Sequence, residues 1–405
     1  MSSIFNIISF LYIFRSAQLL VKIWGERAEL IQEPLTRHKK QLAEQASYFI
    51  AVPISVFFHE FAHALAIWFF GGEVISFNYR FFWGYVEHGP MANPVEQWIV
   101  SIAGTAGSLL FGVGIWLALR NNRASSLRYF GLRAFRFQIY FSLLYYPIFS
   151  FILPIGDWRI IYDFSATPIL SSTTLVIHVI FLILYWRYDK QGSFEAPATE
   201  SVAEQTQFEE LEQQVALNPH DMQTQLQYVD MLRRGGANNR AETHLKQFLT
   251  ANPNSAGAYL ELAAIKAGKR QQISKKANEY AEKALQLGLS NPFQVTAANR
   301  MVAQYNLEVG NGDDALQAYS YAINAIKGTD VTMHQINTLA NLYRERSLAY
   351  RRLQKYELAY GDISQAISLA QQSGQPDLVA AYQEDLVVLE NHAGYKLGVS
   401  SENSF

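Results

Sequence analysis

The pentad His59-Glu60-Phe61-Ala62-His63 contains the residue types and the spacing of a metal-dependent hydrolase. Residues four apart share one face of a helix, so His59 and His63 can present two imidazoles to a single metal ion. Glu60 lies one residue further round the helix, where it can act as a general base on a metal-bound water. The chemistry that this pattern predicts is hydrolysis by a metal-activated water.

The surroundings of the pentad strengthen this interpretation. It lies within Ser47–Phe70, a stretch that is otherwise almost wholly apolar. Ionisable side chains in a bilayer core cost roughly 2.5 kcal/mol or more each, so three of them within one turn persist only if they pair, bind a metal or line a wet cavity. The context therefore favours a metal site in a membrane-spanning helix.

Composition indicates two unlike parts. The chain has 405 residues, of which 50% are hydrophobic, and long apolar segments stop near residue 190. Beyond that point the pattern is helical without an apolar run of membrane length. We therefore predict an all-α protein in which a polytopic transmembrane helix bundle is followed by a soluble α-solenoid.

The net charge of −2 and the lack of a Lys/Arg block argue against nucleic-acid binding. The absence of cysteine leaves histidine and carboxylate as the possible metal ligands.

Four segments have the roughly 20 apolar residues that a span requires. They are Ser47–Phe70, Gln97–Leu119, Phe135–Ile155 and Pro168–Tyr188. Residues 3–24 are predicted to form an interfacial helix or a further span, and they lack the pattern of a cleaved signal peptide. The predicted domains are an N-terminal helix, a membrane core, a linker, a repeat domain and a tail, over residues 1–46, 47–190, 191–203, 204–392 and 393–405.

Basic residues are biased towards one membrane face. The face formed by residues 22–46, 120–136 and 187–190 carries twelve of them: Lys22, Arg27, Arg37, Lys39, Lys40, Arg120, Arg123, Arg128, Arg133, Arg136, Arg187 and Lys190. Loops 71–96 and 156–167, on the opposite face, carry only Arg80 and Arg159. The positive-inside rule therefore predicts a multi-pass membrane protein whose C-terminal repeat domain is cytoplasmic.

Two histidines leave a zinc ion one protein ligand short, because catalytic zinc sites usually have three protein ligands and one open position. Asp157 is the best candidate for the third, since a proline and a glycine break the helix beside it. Asp163 and His178 are competing candidates. Asp157 could also be a loop acid paired with Arg159, and His178 could be bonded to a neighbouring hydroxyl. A separation below about 5 Å between the coordinating atoms of Asp157 and those of the two histidines would complete the ligand set with Asp157.

Over about residues 45–190 these features resemble the site-2 protease family of intramembrane zinc metalloproteases. That family combines a His-Glu-x-x-His helix with a Gly-rich turn, a partly inserted β-loop, a small-residue helix and a later Asp beside a Gly. The matching segments here are His59–His63, Gly71-Gly72, Phe77–Val86, Ala103–Gly107 and Gly156-Asp157.

The chain also departs from the family pattern. Ser101 and Thr105 stand where the family often has Asn and Pro, so an oxyanion-stabilising residue is unassigned. The acidic motif reads Gly-Asp-Trp instead of Asp-Gly. The run at residues 103–107 is explained equally well by close helix packing.

The resemblance implies that His59, His63 and Asp157 hold Zn²⁺ and that Glu60 is the general base for hydrolysis of a transmembrane protein substrate. The alternatives are an inactive membrane-anchored repeat scaffold and, more remotely, a lipid hydrolase. Residues 73–88 predict a β-hairpin that either pairs with an extended substrate or forms an interfacial aromatic belt. Family members open towards the cytoplasm whereas the charge count puts the site towards the other face, so its orientation is open.

The soluble part resembles tetratricopeptide repeats over roughly Glu204–Glu390. Asn218-Pro219 and Asn252-Pro253 are 34 residues apart, and Asn291-Pro292 follows after 39, with an insertion around Lys269–Lys276. Such stacks bind peptides or partner proteins in a concave groove. Small and aromatic residues recur at the family spacing, and four of them are expected to form inter-helix core: Tyr319, Ala322, Ala359 and Ala366.

Overall fold

The computed structural model describes residues 2–153, 155–268, 272–327 and 332–393. The predicted fold class is confirmed: an α-helical bundle with membrane-length helices precedes a helical repeat-like region. The chain forms two compact units, one of Met1–Leu217 with Asp230–Thr243 and the other of Asn218–Val229 with His244–Phe405. The predicted tail lies outside the described residues from position 394 on, and so do residues 269–271 of the predicted insertion.

The first unit contains the bundle. Its elements are α1 (Ser2–Leu30), α2 (Arg37–Phe49), α3 (Ala51–Phe69), β1 (Val74–Tyr79), β2 (Gly84–His88), α4 (Pro94–Leu119), α5 (Ser125–Tyr140), α6 (Tyr146–Ile152), α7 (Trp158–Ile161) and α8 (Pro168–Lys190). A π-helical turn, Phe141–Tyr145, joins α5 to α6.

Four helical segments in the described part of the chain are long and apolar enough to cross a membrane: Asn6–Leu30, Arg37–Phe69, Pro94–Leu119 and Pro168–Lys190. Three of them contain predicted spans. The predicted span 135–155 is not among them, because the π-helical turn divides that helix into shorter parts. Helix α1 is one of the four by length and composition.

Prolines interrupt two of the bundle helices, and side chains from other helices bind the carbonyls that they free. Pro53 has no N–H for the carbonyl of Phe49, and the Ser16 hydroxyl donates to that oxygen at 2.5 Å. Pro147 frees the carbonyl of Leu143 in the same way, and Nε2 of His178 lies 2.5 Å from it. These bonds tie α1 and α8 to the two interrupted helices.

The predicted β-hairpin is confirmed. Strands β1 and β2 pair antiparallel, with Phe77 opposite Val86. The hairpin turns back along α3, because the Tyr79 hydroxyl donates to the carbonyl of Pro53 at 3.0 Å. At its tip the ring of Phe82 lies 4.7 Å from that of Tyr12. The loop that the charge count assigned to one face thus extends along the span towards the other end of α3.

Lys40 fixes the segment that follows α8. Its ammonium group donates to the carbonyls of Ala196, Gly235 and Gly236 at 2.7, 2.9 and 3.1 Å. Nearby, the amide of Thr199 donates to the carbonyl of Leu35 at 3.0 Å. The predicted linker is therefore bound to other parts of the first unit along its second half.

We expect Lys40→Met to expose this segment. The substitution keeps the length of the side chain but removes the ammonium donor of these carbonyls. Gly235 keeps its bond from the amide of Ala198, and Gly236 is exposed. The cost of about 1–3 kcal/mol for an unsatisfied group therefore falls mainly on the carbonyl of Ala196. Limited proteolysis should then cut residues 191–203 about tenfold faster. Lys22→Met is the control, because Lys22 is half exposed and makes only a 4.0 Å ion pair with Glu26. Equal cutting rates in both variants would contradict this role.

The remaining helices form a helical repeat-like region. They are α9 (Val202–Leu217), α10 (Met222–Arg234), α11 (Asn238–Ala251), α12 (Ala256–Ala267), α13 (Lys275–Leu287), α14 (Pro292–Val309), α15 (Gly312–Lys327), α16 (Met333–Arg352), α17 (Tyr356–Gln372) and α18 (Pro376–Ala393). Each helix from α12 to α17 contacts the next along the chain. Tyr319, Ala322, Ala359 and Ala366 are buried in the inter-helix core, as predicted. The assignment of these helices to the tetratricopeptide family stays a prediction.

Candidate metal centre

Two histidines and one aspartate converge on a single point in the bundle. Nε2 of His59 and Nε2 of His63 lie 3.0 and 3.1 Å from Oδ2 of Asp157. One potential ligand atom from each residue lies within 4.8 Å of the other two. The structure thus brings together the three residues that the sequence proposed as ligands, although Asp157 is 94 residues from His63 along the chain.

Helix α4 orients both imidazoles. Nδ1 of His63 lies 2.7 Å from the carbonyl of Val100, which can only accept, so Nδ1 carries the proton and donates it. Nδ1 of His59 lies 3.4 Å from the Ser108 hydroxyl. The carbonyl of Val100 fixes the tautomer of His63 and leaves its Nε2 with a lone pair, whereas the Ser108 hydroxyl can donate to His59 or accept from it.

Asp157 is held by the break between α6 and α7. Gly156 has a φ of +96°, and the chain passes so close to Tyr146 that a Cβ at Gly156 would lie 2.9 Å from the tyrosine hydroxyl. That hydroxyl donates to Oδ2 of Asp157 at 2.8 Å and accepts from its backbone N–H at 3.1 Å. Trp158, the next residue, is 1% exposed and anchors the turn.

The donor set fits a divalent cation. A neutral His63 turns its Nε2 lone pair towards a carboxylate oxygen, and this approach is repulsive unless a proton or a metal ion lies between the two atoms. Two atoms bound at 2.0–2.1 Å to a tetrahedral zinc ion lie roughly 3.3 Å apart. The observed separations of 3.0 and 3.1 Å are close to that value. Two imidazoles and a carboxylate also form a common protein ligand set of catalytic zinc.

Glu60 is buried against the β-hairpin. It is 5% exposed, and a Cβ added at Gly84 would lie 2.6 Å from its Cγ. Only a glycine at this position of β2 lets the strand approach the acid so closely. Glu60 lines the same cavity as the three clustered residues, so its carboxyl group borders the space next to the centre.

The cavity has a volume of about 850 Å³ and lies inside the first unit. Helices α1, α3, α4, α5 and α6, the π-helical turn and β2 all contribute to its walls. Most of the lining surface is apolar. The cavity is large enough for an extended peptide segment and several waters.

Gly104 allows the two imidazoles to approach α4. A Cβ added there would lie 2.6 Å from Nε2 of His59 and would also overlap Nε2 of His63. One turn further on, a Cβ at Gly107 would lie 2.6 Å from that of Ala62. The small-residue run thus gives the close helix packing that its composition suggested, and its first glycine also borders the metal centre.

We expect Gly104→Ala to weaken zinc binding about 10- to 100-fold, the range found when a group that orients a ligand is lost. The added methyl group occupies the space of the ligand atoms. Zinc affinity measured by competition with a chromogenic chelator tests this. Gly114→Ala makes the same change in the same helix where no heavy atom lies within 4 Å, and it should bind zinc normally. Normal affinity in both variants would contradict the assignment.

Residues 42–201 match the family model described as Peptidase M50B-like. This match covers less than half of the chain, and it supports a membrane metallopeptidase of the site-2 protease type for the segment that contains all three clustered residues. No curated protein matches the chain. Among solved structures, the crystal structure of MamA protein is 18% identical, covering 44% of this chain and 96% of that chain with a TM-score of 0.30. That TM-score is too low to support an argument about the repeats.

The competing ligand candidates have other roles within the described structure. Oδ1 of Asp163 accepts from the amides of Ser165 and Ala166 at 3.0 and 3.1 Å and shapes an exposed turn. His178 accepts at Nδ1 from the Tyr162 hydroxyl at 2.5 Å and donates through Nε2 to the carbonyl freed by a proline. The hydroxyl partner that one interpretation of the sequence gave His178 is therefore present, on Tyr162. Neither candidate is in the three-residue cluster.

Sequence reasoning missed several residues around the centre. Tyr146 and Ser108 are polar residues in apolar helices, and that signal could have found them. Gly104 was recognised only as a packing residue, because its contact with the histidines depends on how two helices cross. Val100 acts through its backbone carbonyl, for which its side chain gives no signal.

Proposed function

We propose that this protein is an intramembrane zinc metalloprotease of site-2 protease type. In this proposal His59, His63 and Asp157 hold Zn²⁺, and Glu60 is the general base. The observation that carries it is the convergence of two Nε2 atoms on one carboxylate oxygen beside a buried glutamate. The family match over residues 42–201 adds independent support.

In this proposal Glu60 carries out both proton transfers of peptide hydrolysis. Zinc at this centre would polarise the scissile carbonyl and lower the pKa of a water towards about 7. Glu60 accepts the proton of that water as it attacks, and then delivers it to the leaving amine. Tyr146 keeps the carboxylate of Asp157 in place through its 2.8 Å bond. The apolar walls limit the access of bulk water.

The substrate is proposed to be a membrane protein whose transmembrane segment unwinds in the cavity. A helical carbonyl is hydrogen-bonded and shielded, so attack requires an extended segment. The hairpin lies beside Glu60 through Gly84, and its open edge offers main-chain groups for strand addition. This placement favours substrate pairing over a purely interfacial aromatic belt.

The helices of residues 204–392 are proposed to bind a protein or peptide that recruits substrate or regulates cleavage, on the cytoplasmic side. The charge bias of the bundle supports this orientation. The orientation test is protease accessibility of this region in sealed vesicles. Protection of residues 204–392 in right-side-out vesicles, with digestion after permeabilisation, is the expected result.

The test of the activity is cleavage of a transmembrane reporter by the purified full-length chain in lipid vesicles loaded with zinc. The reporter should be cut within its membrane segment by this protein and not by its Glu60→Gln variant. Normal partner binding by the helices of residues 204–392 together with no cleavage of any membrane reporter would favour the inactive scaffold instead.

A further inference from the structure

A polar stripe runs along the helix formed by α5, the π-helical turn and α6. Its members recur every four residues and all line the cavity: Gln138, Ser142, Tyr146 and Ser150. Tyr146 is already assigned to Asp157, because its hydroxyl bonds to that carboxylate. The rest of the stripe has no role in the mechanism described above.

Two members of the stripe, Gln138 and Ser150, are 1% exposed and have a side-chain donor with no hydrogen-bond partner in the part of the chain that the structure describes. The donor of Gln138 is its amide nitrogen Nε2. A buried amide without a partner costs free energy, so such groups in folded proteins usually have a ligand or water. The amide therefore provides a free donor next to the cavity.

Helix α4 gives the position of this amide relative to the metal centre. Gly104 borders both Nε2 atoms, Ser108 contacts His59, and a Cβ at Gly112 would lie 2.8 Å from that of Gln138. Gly112 follows Gly104, which borders the two ligand nitrogens, by eight residues, which is about 12 Å along a helix. An extended peptide advances about 3.3 Å per residue, so this offset equals roughly three to four residues of an extended substrate.

We propose that Gln138 binds the substrate main chain, and that its amide donates to a carbonyl about three to four residues from the scissile bond. This inference rests on the proposed protease function. A carbonyl in an intact helix is already bonded to its own chain, so only an unwound segment offers a free acceptor at this place. Gln138 therefore favours the extended conformation that hydrolysis requires and sets the register of the scissile bond.

Gln138→Met tests this assignment, because methionine has a similar volume and lacks the donor. For cleavage of the reporter we expect KM to rise about fivefold to tenfold, the range that one such hydrogen bond supplies, with kcat and zinc content unchanged. Thermal stability should be equal or higher, since the unpaired amide is gone. In the Glu60→Gln background, the same change should weaken photo-crosslinking of uncut reporter by a similar factor.

The control is Thr105→Val. It removes a buried hydroxyl that, like the Gln138 amide, has no partner in the described structure, but Thr105 does not line the cavity. It should leave KM unchanged. Gln138→Leu repeats the test if the methionine variant folds poorly.

Three results would overturn the inference while the wild-type protein still cleaves. They are an unchanged KM in Gln138→Met, a fall in kcat alone, which would make the amide a water site, and an equal rise in KM in Thr105→Val. Absence of cleavage and of crosslinking by the wild-type chain would instead contradict the protease function itself.

Discussion

Replacing Glu60 with glutamine should leave one zinc ion per chain and lower reporter cleavage about 10²- to 10⁴-fold, the usual contribution of a general base. The amide has nearly the shape of the carboxylate, so the packing of residue 60 against Gly84 is kept. It cannot accept the proton of the attacking water. Zinc content by mass spectrometry and initial cleavage rates in vesicles measure the two effects separately.

Glu96→Gln is a matched control for this prediction. Glu96 is a half-buried acid at the start of α4 that accepts from the amide of Ala92 at 3.0 Å and is not among the residues that line the cavity. Its variant should cleave at the wild-type rate. Retention of activity in Glu60→Gln would exclude Glu60 as the base, and loss of zinc in that variant would make Glu60 part of the metal site.

Replacing Asp157 with alanine should remove zinc from the purified protein and with it all measurable cleavage. The loss in affinity should exceed the roughly 10- to 100-fold found for partners that only orient a ligand, because here a ligand itself is removed. Asp157→Asn keeps the volume and an acceptor for Tyr146, so its effect isolates the negative charge. Zinc stoichiometry and competition with a chelator are the measurements.

Asp163→Ala is the comparison for this second prediction, since it removes the same side chain six residues further on. Asp163 shapes an exposed turn through its bonds to Ser165 and Ala166, so its alanine variant should bind zinc normally. Wild-type zinc content in Asp157→Ala would remove that residue from the ligand set. A loss of zinc in Asp163→Ala alone would mean that Asp163, and not Asp157, is the zinc ligand.

Much of the fold follows from local patterns in the sequence. Apolar length located three of the spans, and alternating aromatics located the hairpin, because both signals are written in consecutive residues. The span predicted at 135–155 was assigned less well. A π-helical turn and Pro147 interrupt it, and a search for apolar length cannot detect such a break.

The site was predictable to the extent that its chemistry lies in one helix. His59, Glu60 and His63 can be recognised by their spacing, and Asp157 by the proline and glycine that break the helix beside it. The groups that orient them come from other helices: Val100 through its carbonyl and Tyr146 through a bond across a turn. Those contacts depend on how the helices pack together, and a single sequence does not show which residues of two helices will meet.

The two-stranded hairpin has a consequence for the hydration of the resting protein. A sheet of two strands leaves one edge of each without a ladder partner, and hydrocarbon cannot bond to the free amides and carbonyls. Wherever that edge is not covered by protein, it must keep water beside Glu60 before any substrate arrives. A pairing substrate strand would release this water and lower the local dielectric constant. Substrate entry would thus strengthen the electrostatic interactions at the centre as the reaction begins.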